Sequence, residues 1–168
     1  LGDPSLFGDF GVVNTLISIL NMVMVTGVIQ AVSKRVSERP ELAGAIRLAS
    51  MKLQGLFGTG VFLALLVGAD WIAADLLQDP SLGVLIRIGA VITLSYAFYG
   101  ALVGVVNGLK RFAPQAGFDV GFATMKVGLM IGLVVLGYGV QGAFTGFAAA
   151  AVIITVIALV VGSRQSPP

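Results

Sequence analysis

The 168-residue chain contains neither cysteine nor histidine. That double absence removes disulfides, thiolate nucleophiles, imidazole bases and the usual zinc ligands together. Charge is scarce too: Asp, Glu, Lys and Arg supply 11% of the residues against 57% hydrophobic ones, and the mean hydropathy is +1.01. So apolar a chain lacks the polar surface a water-soluble domain of this size carries. The net charge of +2 is small, and the basic residues are dispersed among long apolar runs, which argues against a nucleic-acid partner. Hydrolytic or metal-dependent chemistry is not expected, nor is a cofactor.

What the sequence does have is five apolar runs, at about 10 to 33, 50 to 69, 83 to 108, 115 to 137 and 142 to 163. Each is long enough to cross a hydrocarbon layer of roughly 30 Å as a helix. Lipid cannot hydrogen-bond to a strand edge, so all five are expected to be α-helices. The fold class is therefore all-α, a multi-pass transmembrane bundle over residues 1–168. Most of the 23 glycines lie inside these runs, where they allow helix backbones to approach closely.

The gaps carry an orientation. Lys34, Arg35, Arg39, Arg47 and Lys52 follow the first run, whereas Asp70, Asp75 and Asp79 follow the second, with no basic residue before Arg87. Lys110 and Arg111 mark the third gap, the segment 137–141 is uncharged, and Arg164 closes the last run. Basic gaps stay cytoplasmic, so the start of the chain, with Asp3 and Asp9, is expected outside and its end inside. The chain opens without Met or a basic leader, and an outside start implies a preceding helix, so it reads as a fragment of a longer protein. The chain ends in SRQSPP, of which residues 164–168 are expected to form a disordered tail. An amphipathic helix at the headgroups is possible around 41–52.

Gly137, Gly139 and Gly142 form an isolated G-x-G-x-x-G, but no strand precedes it and no ribose-binding acid follows, so a nucleotide site is not expected. Gly100, Gly104 and Gly108 recur every four residues and form a smooth groove suited to helix packing. Asn14, Ser18 and Asn21 share one face of the first run. That face either hydrogen-bonds to other helices or lines a wet cavity, and both readings stand open. Thr26, Gln30 and Asn107 are expected to act as caps or interhelical bonds. Lys126 lies near the middle of the fourth run, where a lysine costs about 2.5 to 3.5 kcal/mol. It either snorkels toward the cytoplasm, helped by Asp119 two turns away, or presents a fixed positive charge to an anionic headgroup. Arg87, close to the outer boundary, is expected to snorkel.

LGDPSLFGDFGVVNTLISILNMVMVTGVIQAVSKRVSE resembles the segment around the second helix of polysaccharide and oligosaccharide-lipid flippases, where an LGPxxFG-like outer turn precedes a helix ending in a basic stretch. LIRIGAVITLSYAFYGALVGVVNGLKRF is similar to that family's fourth helix, with Gly108 to Phe112 matching its Gly-Leu-x-Arg-Phe-like turn. The resemblance covers nearly the whole chain through loose patterns of small and apolar residues. It implies the multidrug/oligosaccharidyl-lipid/polysaccharide exporter superfamily, with twelve to fourteen helices in two lobes, of which this chain would supply helices two to six.

The resemblance further implies a transporter in the plasma membrane of a prokaryote. Such a flippase moves an isoprenoid-diphosphate-linked sugar between leaflets by alternating access, without making or breaking a bond. Its partners would be the bilayer, the lipid-linked glycan and a second lobe, second copy or partner chain. Candidate substrate-binding residues are Lys126 for the diphosphate and Asn14, Ser18 and Asn21 for sugar hydroxyls. Two rivals stand beside this reading. A cation-coupled multidrug exporter would want a carboxylate at the centre of a span, and none lies there. A non-transporting scaffold would use the Gly100, Gly104 and Gly108 groove to hold a partner.

Overall fold

A computed structural model describes residues 4–164, and these form helices joined by tight turns. Asp3 and the tail beyond Arg164 fall outside this range. Helix α1 (Pro4–Asn21), a π-turn (Met22–Thr26) and α2 (Gly27–Glu38) run on without a break, because Asn21 and Gly27 at the junctions keep right-handed helical dihedrals. The first span is thus longer than expected at both ends. The helix starts at Pro4, so residues 4–8 of the anticipated outer turn lie within it.

The chain breaks at Arg39, which precedes Pro40 and takes φ −140°, ψ 72°, outside the helical region that a following proline disfavours. Helix α3 (Ala43–Trp71) then runs for 29 residues, about 44 Å. Residues 43–52 belong to this same helix, so the separate amphipathic helix anticipated around 41–52 does not form. After a second π-turn (Ile72–Leu76), the chain reverses at Gln78, whose φ is 57°. Asp79 restarts it: its Oδ1 accepts the Ser81 N–H at 2.9 Å and Pro80 takes the first helical position. Helix α4 (Gly83–Gly108) ends in a Schellman turn, with Arg111 N–H donating to the Val106 carbonyl at 3.1 Å and Lys110 N–H to that of Asn107 at 2.9 Å.

Helix α5 (Phe112–Leu133) and α6 (Gly139–Arg164) are joined through a π-turn (Val134–Tyr138). Laid straight, the 50 residues Phe112–Val161 would measure about 75 Å, more than twice a bilayer core. Gly137 at φ 93° and Gly139 at φ 54° fold them back, conformations that a side chain would strain. The isolated glycine pattern at 137, 139 and 142 is therefore a helical hairpin turn, packed so tightly that a Cβ on Gly146 would lie 2.7 Å from the Leu129 carbonyl.

Contacts across the bundle fix the helix directions. Ile17 meets Gly89, Val25 meets Gly100 and Val36 meets Gly108, so the first span runs parallel to α4. Gly58 meets Ala97, while Asp70 pairs with Arg87, so α3 runs antiparallel to it. Alternation continues through α5 and α6. Consequently the turns at 39–42 and 109–111, flanked by Lys34, Arg35, Arg47 and Lys110, gather at one end, and the turns bearing Asp75, Asp79 and Gly137 gather at the other.

Helix α4 is the hub and is buried along most of its length. Its N-terminal half joins Val13, Ile17, Leu65, Ala69 and Phe144 in the main core. The outward faces stay apolar, with Val67 82% and Val135 79% exposed. In water such a surface would aggregate, whereas hydrocarbon is its natural solvent.

Glycine sets the closest seam. A Cβ on Gly104 would fall 2.9 Å from Val32 Cβ and 3.1 Å from the Ile29 carbonyl; on Gly108 it would fall 2.5 Å from Val36 Cβ and 2.7 Å from the Ser33 carbonyl. Backbone carbonyls cannot swing aside as a side-chain tip can. Gly108→Ala and Gly104→Ala should each lose about 1 to 3 kcal/mol of stability, the usual range for overpacking. Gly60→Ala, whose Cβ meets nothing within 4 Å, should not; thermal unfolding in detergent micelles decides between these outcomes.

The turn between α3 and α4 should also respond to acid. The Ser81 hydroxyl, and then its backbone N–H, hold the Asp79 carboxyl below its usual range. A lowered folded-state pKa contributes stability that is complete above the ordinary carboxylate value and is lost as pH falls from there through the lowered folded-state value. Protease nicking at 77–82 should therefore rise below about pH 4, and Asp79→Asn should flatten that dependence.

Candidate functional site

The polar groups inside the bundle divide into those already satisfied and those left with bonding capacity. Thr93 donates to the Gly89 carbonyl at 3.1 Å and Ser95 to that of Val91 at 2.9 Å, each one turn back in its own helix. The Thr155 hydroxyl lies 2.7 Å from the Ala151 carbonyl and 3.1 Å from the Ser95 carbonyl, tying α6 to α4. These buried hydroxyls serve the fold.

Lys126 behaves differently. On α5 it is half-buried, and its Nζ lies 5.7 Å from the centre of the Phe122 ring and 5.0 Å from that of Phe147 on α6. Phe122 is one turn nearer the helix start, where a helical side chain naturally leans. Cation–π contact of this kind is worth about 0.5 to 2 kcal/mol and offsets part of the lost hydration. Tyr96 of α4 completes the aromatic cluster, edge-on to Phe122 at 5.6 Å and to Phe147 at 6.2 Å. Such edge-to-face pairs fix ring orientation.

The acid anticipated beside Lys126 is engaged elsewhere. Asp119 accepts the Tyr99 hydroxyl from α4 at 3.0 Å, and among the described residues no ion pair joins it to Lys126. The ammonium is held by ring faces rather than drawn to that acid.

On the first span, Val13 and Ile17 form the buried stripe, and Asn14, Ser18 and Asn21 lie alongside it. Ser18 is exposed, whereas Asn14 and Asn21 are half-buried, and the Asn21 Oδ1 is enclosed without a hydrogen-bond partner. An unmet acceptor is costly in an apolar setting. Among the described residues no hydrogen bond joins Lys126 to Asn14, Ser18 or Asn21, so the four remain two separate polar features. Thr26 and Gln30 are exposed.

Arg87, expected to snorkel, instead donates to Asp70 Oδ2 at 2.6 Å, clamping the end of α3 to the start of α4. The sequence reading missed this pair because 17 residues and a turn separate its members. It also missed Tyr96, Tyr99, Phe122 and Phe147, although the i, i+3 spacing of the two tyrosines was a visible signal. The groove of Gly100, Gly104 and Gly108 is filled by the chain's own Val25, Val32 and Val36, which closes it to the partner that the scaffold reading requires.

An all-α bundle with lipid-length apolar helices of alternating direction defines a multi-pass membrane protein. The chain matches the family described as polysaccharide biosynthesis protein over residues 3–165, and it belongs to that family. No curated protein and no solved structure matched it. The class is thereby narrowed to a membrane protein of polysaccharide biosynthesis, from a family of the transporter type.

The Asp70–Arg87 clamp yields a measurable quantity. Both side chains keep substantial exposure, 73% and 42%, so a double-mutant cycle with Asp70→Asn and Arg87→Ala should return a coupling of about 1 kcal/mol or less. Thermal unfolding of the purified membrane protein measures it.

Proposed function

We propose that this chain is part of a transporter that carries an isoprenoid-diphosphate-linked oligosaccharide from the inner to the outer leaflet of a prokaryotic plasma membrane. The start of the chain lies outside and its end in the cytoplasm. The observation that carries this reading, beside the family match, is Lys126: a lysine ammonium in the middle of a lipid-length helix, stabilised by aromatic faces and, among the described residues, unpaired with an acid. Such a charge is costly in hydrocarbon, and its use is to lower the barrier for an anionic group that must cross. Lys126 takes the diphosphate, and Asn14, Ser18 and Asn21 supply hydrogen bonds to sugar hydroxyls, with the Asn21 Oδ1 already lacking a partner. Alternating access requires two bodies that rock against each other, so the working transporter pairs this bundle with a second lobe, a second copy or a partner chain.

One observation favours a second reading, that of a cation-coupled drug exporter: Asp119 is the single carboxylate of α5 and sits in contact with α4. If proton or sodium coupling ran through it, Asp119→Asn would abolish transport.

Lys126→Ala in the complete protein should impair export of surface glycan while membrane insertion stays normal. Wild-type glycan in cells carrying that variant removes Lys126 from the site. Because this chain has no cysteine, single substitutions in it, within a complete protein from which any further cysteines are removed, permit clean topology mapping. Asp75→Cys should label with a membrane-impermeant maleimide added to intact cells, and Lys110→Cys only after lysis. The reverse pattern would invert the orientation and overturn the direction of transport.

A further inference from the structure

Asp119, Phe122 and Lys126 are spaced by three and four residues and share one face of α5. Carboxylate and ammonium start two turns apart, about 10 Å along the axis, a gap that an extended lysine leaning toward the helix start narrows to within reach of the shorter aspartate. Asp119 is also the only carboxylate on α4, α5 and α6, so no other acid on these helices competes for Lys126. Yet the two do not meet. The carboxylate accepts the Tyr99 hydroxyl at 3.0 Å, and the ammonium rests on the rings of Phe122 and Phe147.

We propose that Tyr99 is a positioning residue for anion recognition: its hydroxyl holds the Asp119 carboxylate away from Lys126, leaving the ammonium's charge for an incoming diphosphate. The inference rests on the reading of Lys126 given above and adds a residue that acts through Asp119. Its physical basis is the difference between two ways of stabilising a cation out of water. A carboxylate neutralises the charge, and an arriving anion must then break an ion pair. An aromatic face offsets lost hydration while leaving the net charge in place.

Tyr99 is suited to the task because it cannot easily turn away. Its side chain is buried, with the residue only 8% exposed, and its ring is fixed against Tyr96 at 6.4 Å and Phe122 at 6.3 Å. Its hydroxyl therefore offers a stationary donor at the depth of Asp119. Removing that donor frees the one acid able to fold toward the ammonium.

The test uses the complete protein in lipid nanodiscs, with geranylgeranyl diphosphate as probe and geranylgeraniol as the uncharged control, both read by equilibrium binding. Tyr99→Phe should weaken diphosphate binding about fivefold, the scale of one competing ion pair at a partly exposed site, and leave the alcohol unaffected. Adding Asp119→Asn to that variant should restore binding to the wild-type value, and Asp119→Asn alone should not weaken it. Lys126→Ala should cost more than about tenfold, the scale of a charge-assisted contact. If Lys126→Ala weakens binding and Tyr99→Phe does not, the positioning role is overturned while the Lys126 reading stands. If Tyr99→Phe weakens binding and Asp119→Asn fails to restore it, Tyr99 acts through packing and the inference is likewise overturned. Unchanged binding in Lys126→Ala overturns both.

Discussion

The close seam between α4 and the first span is the contact on which the rest of this bundle depends. In hydrocarbon, apolar side chains gain nothing by leaving one apolar surroundings for another, so helix association rests on dispersion at short range and on interhelical polar contacts. Gly100, Gly104 and Gly108 bring α4 so near that a Cβ added at these positions would press on Val25, the Ile29 carbonyl and the Ser33 carbonyl. That approach fixes the height of the first span, and so where Asn14, Ser18 and Asn21 sit. An adjoining face of α4 meets α3 through Ala97 and Gly58. Its Tyr96 and Tyr99 side meets α5 and α6. One helix thus positions both polar features of the candidate site.

Stability and function draw on different groups within the same few turns. The hydroxyls of Thr93, Ser95 and Thr155 are turned inward to backbone carbonyls and add little polarity that a substrate would find. Lys126 and the Asn21 carbonyl oxygen are instead left with bonding capacity in surroundings where such capacity is expensive. Polar groups retained at that cost are where an intramembrane protein concentrates its function.

Most of the architecture was legible in the sequence, because a bilayer restricts a spanning chain to few solutions. Apolar run length gave the helices, and the third run, 83–108, coincides with α4. The alternating basic gaps agree with the alternating helix directions. Two things were not legible. Helices continue through the headgroup region, so charge marked where lipid stops but not where α3 or the first span stops; hence the absence of a separate helix at 41–52. Side-chain partners across turns, Asp70 with Arg87 and Tyr99 with Asp119, depend on the rotation of packed helices about their axes, which local spacing does not encode. Lys126 stood out by depth alone, but its seat on Phe122 and Phe147 required the α5–α6 hairpin to be closed.

The π-turn at Met22–Thr26 divides the first span into two mechanically unlike halves. Below it, Val32 and Val36 are wedged into the α4 glycines; above it, contact passes through the branched chain of Ile17 against Gly89. A π-turn interrupts the regular α-helical ladder and is a recognised origin of kinks. The π-turn thereby marks where the packing changes in kind, from valines seated on glycine to the arm bearing Asn14 and Ser18, which is held in the main core through Val13 and Ile17.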